Sequence, residues 1–279
     1  MFVTLTRSSV YLLDFHLMIK GKALNKTYLW WKFLCVTAII NICVWTWAIY
    51  AHSDVQSFSY AQPILSGIYV FVCAFRSFLP RIDLERYCLF DHPLSSVMLG
   101  RSLATIAEIC FSAQCAILIF DLGDHLNAPI IMFIAYTIVP IIVFAQLSCW
   151  YAALTLNHFW HSIEEAAWVV MIILAAACMA TGFFMLNGVL QVLMAIGVIS
   201  CLGSAYIMLF VDIPMYLSRK EDSGKTARQF LSVSAGIKDA INRRVITNDW
   251  GVWKKEVLWI SAYFTFGVWL SIGMVLIRF

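Results

Sequence analysis

The stretch NHFWHSIEEAAW, Asn157 to Trp168, places one amide, two imidazoles and two carboxyls within nine residues. On a helix, His161 stands three residues before Glu164 and four before Glu165, so it can share a face with either. His158 lies one turn earlier on the same side. An imidazole beside a carboxylate suits acid–base chemistry, which makes His161 and Glu164 candidate catalytic residues. His158, His161 and Glu165 can also be read as a metal-ligand set, with a divalent ion such as zinc as the candidate cofactor. The spacing is not the H-E-x-x-H of zinc peptidases. Plainer roles exist for each group. Histidines at a membrane interface serve as hydrogen-bonded anchors, carboxylates in a first turn complement the helix dipole, and Asn157 is a suitable N-cap.

Glu108 is the second residue of interest. It sits between Ala107 and Ile109 inside a long apolar run, where an unpaired carboxylate costs about 2.5–3.5 kcal/mol on insertion scales. Arg101, seven residues earlier, falls on the same helix face about 10 Å away. The two form either a structural pair or a functional carboxylate with its counter-ion. Arg76 and the segment PRIDLERYCLFDH add Arg81 and Arg86, whose forked guanidinium groups match an anionic headgroup. Asp212-Ile213-Pro214-Met215-Tyr216 supplies a carboxylate and a phenol beside a proline. Pro214 deprives the Phe210 carbonyl of its donor, so the helix should unwind or kink there. Arg76, Arg81, Arg86, Arg101, Asn157, Asp212 and Tyr216 therefore form the candidate headgroup- or ligand-binding set.

The elements that must position these groups are membrane spans. The chain is 62% hydrophobic and 13% charged over 279 residues, with a mean hydropathy of +0.83. Soluble domains carry about twice that charge. The 46 residues from Ala166 to Val211 contain no Asp, Glu, Lys or Arg, too many for one span, and Leu186-Asn187-Gly188 divides them. Charge-free runs place seven spans at roughly 33–53, 59–79, 97–120, 129–155, 160–186, 189–216 and 257–277. The fold expected is all-α, a polytopic seven-helix bundle comprising residues 28–279, preceded by an interfacial lead over 1–27. Val10 to Leu13 lie in that lead, and Trp30, Trp31 and Lys32 should anchor the first span at the interface.

With seven spans, 18 of the 19 basic residues fall on one side and only Arg278 on the other. The positive-inside rule then puts the N-terminus in the cytoplasm and the C-terminus outside. Thirty-two residues before the first apolar run, with no small-residue cleavage site after it, do not resemble a cleaved signal peptide. Between the last two spans, residues 225–246 carry Phe230, Val233, Ile237, Ile241 and Val245 at helical spacing, with Arg228, Lys238, Arg243 and Arg244 around them. This segment is either an amphipathic helix on anionic inner-leaflet headgroups or a helix packed under the bundle. Trp250 to Trp259 reads as a further interfacial anchor. The nine cysteines show no CxxC spacing and read as small apolar fillers.

This topology brings the ionisable groups of four spans to one depth, the cytoplasmic third of the bilayer. An intramembrane enzyme acting on a lipid or amphiphile uses such an arrangement: arginines hold the headgroup, and Glu108 or Glu164 acts as base or ligand with His161. The alternative is a proton- or cation-coupled transporter using Glu108, Glu164 and Asp212, and a third reading is a non-catalytic scaffold. Polarity confined to one end favours the enzyme, because a transport route should continue across the membrane. Membrane lipids are the expected partners, and nothing suggests nucleic acid. The chain lacks a Walker loop, GxGxxG and GxSxG, and no span carries the lysine a retinal Schiff base needs. Histidines are too few for a multi-histidine di-iron site, and none lies mid-span to ligate a transmembrane haem.

Overall fold

The computed structural model describes residues 25–52, 61–225, 230–277 and 279, with the backbone alone for 220–225. Arg7, Val10 to Leu13, Lys20, Lys22, Asp54, residues 59–60, Arg228 and Arg278 lie outside that set. In chain order the elements are α1 (Lys26–His52), α2 (Ala61–Phe78), β1 (Arg81–Ile82), β2 (Tyr87–Cys88), α3 (Val97–His125), α4 (Pro129–Thr155) and α5 (Phe159–Met185). Then follow α6 (Gly188–Ile207), α7 (Ile213–Lys225), α8 (Val233–Asn242), β3 (Val245–Ile246), α9 (Trp250–Trp253), α10 (Val257–Ala262) and α11 (Val268–Leu276).

Seven helical stretches are long and apolar enough to cross a membrane, and the chain is an all-α integral membrane bundle. They coincide with the seven charge-poor runs, although the first begins at Lys26 and the sixth extends to Arg219. In hydrocarbon a helix satisfies every backbone group internally, so each such run has little alternative. The breaks between them are chemically marked. Ser96 caps α3 by accepting from the Leu99 N–H. Leu156 ends α4 in the left-handed region, and Gly188 opens α6 with a φ of +66°, a conformation glycine adopts without penalty.

Pro214 acts as expected. The helix widens to a π-turn over Met208–Asp212, and the Ile213 N–H reaches back to the Met208 carbonyl. Pro140 does not break its helix in the same way, and α4 runs through it as one element. A second π-turn, Tyr263–Gly267, joins α10 to α11 without any proline; its Phe264 carbonyl accepts from Asn41 Nδ2 at 2.9 Å.

Two large apolar cores divide the bundle, beside a smaller one at Leu122, Leu186 and Met194. One joins α1, α2 and α11 through Leu34, Tyr69, Val70, Val268 and Ile272. The other joins α3, α4, α5 and α6 through Ile119, Ile138, Ile142, Ile172 and Ala205. Several tryptophans assigned to the interface belong to the first core. Trp253 is fully buried against Trp30, with ring centroids 5.6 Å apart, and each indole N–H finds an internal acceptor, Thr247 O and Ser261 Oγ respectively.

The connections at one end knit together. β1 pairs antiparallel with β2, and β2 pairs parallel with β3. Val245, read as the last apolar position of an amphipathic helix, is instead in β3. Its N–H donates to the Arg86 carbonyl at 2.8 Å, which ends the helix at Asn242. The short α8 packs beneath α3 and α4 on its small residues, Gly236 and Ala240. A Cβ on Gly236 would lie 2.1 Å from the Leu154 carbonyl oxygen. Its larger apolar residues, Phe230 beside it and Val233, Ile237 and Ile241 along it, remain exposed. Docked and amphipathic are thus both true of this helix.

Candidate functional site

α3, α4 and α5 meet at this knitted end. Arg101, Thr105 and Glu108 share one face of α3, four and three residues apart. Gln146 and Cys149 occupy the last turns of α4, and His161 and Glu164 the first and second turns of α5. The two carboxylates at 164 and 165 therefore lie beyond the first turn assigned to them, because α5 begins at Phe159. A three-residue link, Leu156 to His158, folds α5 back on α4 and brings Cys149 to His161. Asn157 helps start α5 by accepting from the Phe159 N–H at 3.1 Å.

Glu108 has its counter-ion. Arg101 Nη2 donates to Glu108 Oε1 at 2.8 Å and to Gln146 Oε1 at 3.0 Å. Gln146 Nε2 donates in turn to Glu108 Oε2. Thr105 donates to Gln146 Oε1 and accepts from the Trp150 indole, each at 3.0 Å. Both Glu108 oxygens are therefore engaged in a closed, buried network. The structural Arg101–Glu108 pair is present, with one hydrogen bond to each carboxylate oxygen.

His161 is placed differently. Its Nδ1 lies 2.7 Å from Glu164 Oε2 and 3.9 Å from Cys149 Sγ, while its Nε2 is buried with no hydrogen-bond partner. Tyr216 of α7 stacks on the His161 ring, with centroids 5.0 Å apart at 26°, and on His158 at 6.3 Å and 25°. Among the described residues, Cys149, His161 and Glu164 form a group of potential metal donors whose ligand atoms all lie within 4.8 Å of one another. Only His161 of the set His158, His161 and Glu165 belongs to it. Adjacent helical residues point about 100° apart, so burying Glu164 turns Glu165 away. Glu165 Oε2 and Asp212 Oδ1 are nevertheless buried without hydrogen-bond partners, and Glu165 lies within electrostatic range of Glu164, Asp212, Glu108 and Arg101.

The arginines divide into two groups. Arg86 has a partner at each nitrogen: Nε pairs with Asp239 at 2.8 Å, Nη1 donates to Asp83 O at 2.7 Å and Nη2 to Ala153 O at 2.9 Å. It closes the last turn of α4 and ties α8 in place. Arg81 pairs through Nε with Asp83 at 2.9 Å, and Arg101 Nη1 approaches the same carboxylate at 4.0 Å. Arg81 Nη2 and Arg101 Nε are buried without partners. The Arg81 guanidinium rests on bare backbone at Gly100, where a Cβ would come within 1.8 Å of it. Burial pushes the Asp83 carboxyl up, but Arg81, Arg76 and Arg101 outweigh that effect and hold it at about 2. Arg76 also lies 5.4 Å from the Phe264 ring centroid.

Sequence reasoning missed Cys149 and Gln146 as members of this site. Gln146 is visible as an amide near the inner end of its span, but Cys149 is indistinguishable there from an apolar filler. A second buried polar layer lies about 9 Å further along α3. There Gln114 Nε2 donates to Gln62 Oε1 and Ser271 O, Gln62 Nε2 to Gln114 O, and Ser271 Oγ donates to Gln114 Oε1 and also contacts Ser66 Oγ. Comparison of this chain with protein-family models, with curated proteins and with solved structures found no match in any of the three.

Proposed function

We propose that this integral membrane protein is an enzyme acting on an anionic lipid or amphiphile at the cytoplasmic face. His161 is its acid–base group and Glu164 the group that orients it. The carrying observation is the His161 imidazole itself, held at Nδ1 by Glu164 and stacked under Tyr216, with a buried, unpartnered Nε2. A carboxylate beside Nδ1 keeps the ring proton there and leaves the Nε2 lone pair free to take a proton from water or a substrate hydroxyl. Arg81 and Arg101 each retain an unused N–H in the same end of the bundle, which suits an anionic headgroup. The Arg101–Glu108–Gln146 network fixes the α3 and α4 walls of the site and holds Arg101 in position.

The second polar layer favours an enzyme over a transporter. The Gln62 and Gln114 side-chain donors and the Ser271 hydroxyl are all used within that layer. On the other side of α3, the route beyond Gln146 meets Ile142 and Ile138, both fully buried. A transport path through Glu108, Glu164 and Asp212 would have to open one of these barriers.

The test is lipid turnover in nanodiscs containing phosphatidic acid, phosphatidylserine and fatty acid, followed by mass spectrometry. Wild type should change the lipid profile, and Glu164→Gln should slow that change by roughly 100-fold or more while leaving thermal unfolding near the wild-type value. Equal profiles for the two folded proteins would refute the enzyme reading. Flux in liposomes that follows a pH or cation gradient would support the transporter instead. Loss of thermal stability as the sole effect would point to a scaffold.

A further inference from the structure

Cys149, His161 and Glu164 are drawn from two helices, and their ligand atoms lie within 4.8 Å of one another, all three residues buried. We propose that they hold a zinc-class dication, centred where Nδ1 and the carboxylate otherwise share a proton. This rests on the reading of the cluster as a reactive site and changes the role of His161 there: with Nδ1 on the ion the ring proton sits on Nε2, and the acid–base group would be a water at the open metal position.

Three features carry the assignment. The first is donor chemistry. A thiolate, an imidazole and a carboxylate select zinc or its neighbours over magnesium or calcium, which prefer oxygen alone. Three protein donors with one position left open is also the pattern of catalytic zinc. The second is charge. Glu165, itself buried, lies within electrostatic range of three further carboxyls, Glu164, Asp212 and Glu108, and of Arg101 with the opposite sign. A buried excess of acid must be protonated or paired, and a dication supplies the missing positive charge. Arg101 also lies within electrostatic range of both Cys149 and Glu164, which helps hold two anionic donors together. The third is reach. Two ligands on a tetrahedral centre, each at about 2.0–2.1 Å, stand roughly 3.4 Å apart. Nδ1 and Oε2 must therefore separate from 2.7 Å by about 0.7 Å, within one side-chain rotation of Glu164. The Cys149 Sγ to Nδ1 distance, 3.9 Å, already suits a shared ion.

Metal and proton compete for the same lone pairs on Nδ1 and Sγ, so loading should release protons and weaken as pH falls. The experiment uses the full chain in detergent, stripped with chelator and reloaded with Co²⁺, read by metal content and by the near-ultraviolet thiolate-to-cobalt band. Wild type and Cys178→Ser, which removes a buried cysteine elsewhere, should bind about one ion per chain and show the band. Cys149→Ser should lose the band, and Glu164→Gln should keep it with at least tenfold weaker affinity. If Cys149→Ser fails to fold, the affinity of Glu164→Gln decides the matter. A wild type without stoichiometric Co²⁺, or binding unchanged across the folded variants, overturns the proposal. Because the readout is spectroscopic, absence of metal leaves the lipid assay to judge His161 as a metal-free base. Inactivity towards lipid leaves the metal result standing.

Discussion

Glu108 and Glu164 are equally buried, each at 7% exposure, yet they meet different partners. Glu108 is held by Arg101 and Gln146, whereas Glu164 faces an imidazole whose far nitrogen is buried without a hydrogen-bond partner. Removing one partner of a buried pair is far costlier than removing both, because the survivor is left charged and unpaired. Arg101→Ala should therefore destabilise the bundle by roughly 3–5 kcal/mol, and Arg101→Ala with Glu108→Leu should recover much of the loss. Thermal unfolding of both variants in detergent checks this, and purely additive losses would argue against the pair. Asp83 gives a pH-dependent counterpart outside the spans. Its folded pKa of about 2 lies below the ordinary 3.8, so its stabilisation, about 2 kcal/mol, is full above pH 4 and fades as pH falls from 4 towards 2. Asp83→Asn should flatten unfolding midpoints measured across that window. The acids and arginines of this site were readable as residues, because a charge in an apolar run is conspicuous. Their pairing was not, since it depends on the rotations of three helices. Cys149 gave no signal at all, because a buried cysteine in a span is ordinary.

The elements were legible to different degrees. An irregularity before Pro214 follows from one missing N–H, but its form as a π-turn does not, since Pro140 leaves α4 continuous. The π-turn at Tyr263–Gly267 has no such residue and could not be read in advance. For α8 the period of Phe230, Val233, Ile237 and Ile241 marks a helix, but those positions turned out to be the exposed ridge. The docking face is Gly236 and Ala240, which a hydrophobic pattern overlooks. Adding bulk there should separate α8 from α4 without disturbing the spans. Gly236→Leu is expected to raise amide hydrogen exchange throughout 231–242 and to cost about 1–3 kcal/mol, with exchange in α3, α4 and α5 unchanged. If α8 stays protected, the close approach to Leu154 is not what holds it. Lys238 and Arg243 flank the exposed ridge, and we propose that the ridge rests on anionic headgroups; a spin label at Ile237 should then be more accessible to lipid-soluble oxygen than to an aqueous relaxant.

At the scale of the whole molecule, the seven spans were readable because bilayer thickness fixes the length of a charge-poor run. The segments 79–96 and 230–256 meet at one end, joined by the β1–β2–β3 ribbon. Which side of the membrane that end occupies rests on charge asymmetry. An impermeant maleimide should reach Arg243→Cys only from the cytoplasm and Asn127→Cys only from outside, provided that labelling of native cysteines is subtracted. The reverse pattern would invert the orientation and leave the bundle intact. The layer of Gln62, Gln114, Ser66 and Ser271 ties α2, α3 and α11 together, so Gln114→Leu should cost about 1–3 kcal/mol by stranding its neighbours. The same layer, with Ile138 and Ile142 on the other side of α3, also makes the site electrically shallow. Moving one charge across the whole membrane at 100 mV involves about 2.3 kcal/mol, but a charge that enters a dead end and leaves by the same door samples only part of that drop on the way in and returns it on the way out. If the site turns lipid over as proposed, a complete working cycle should therefore carry no net current, and turnover in polarised vesicles should move no charge across the membrane.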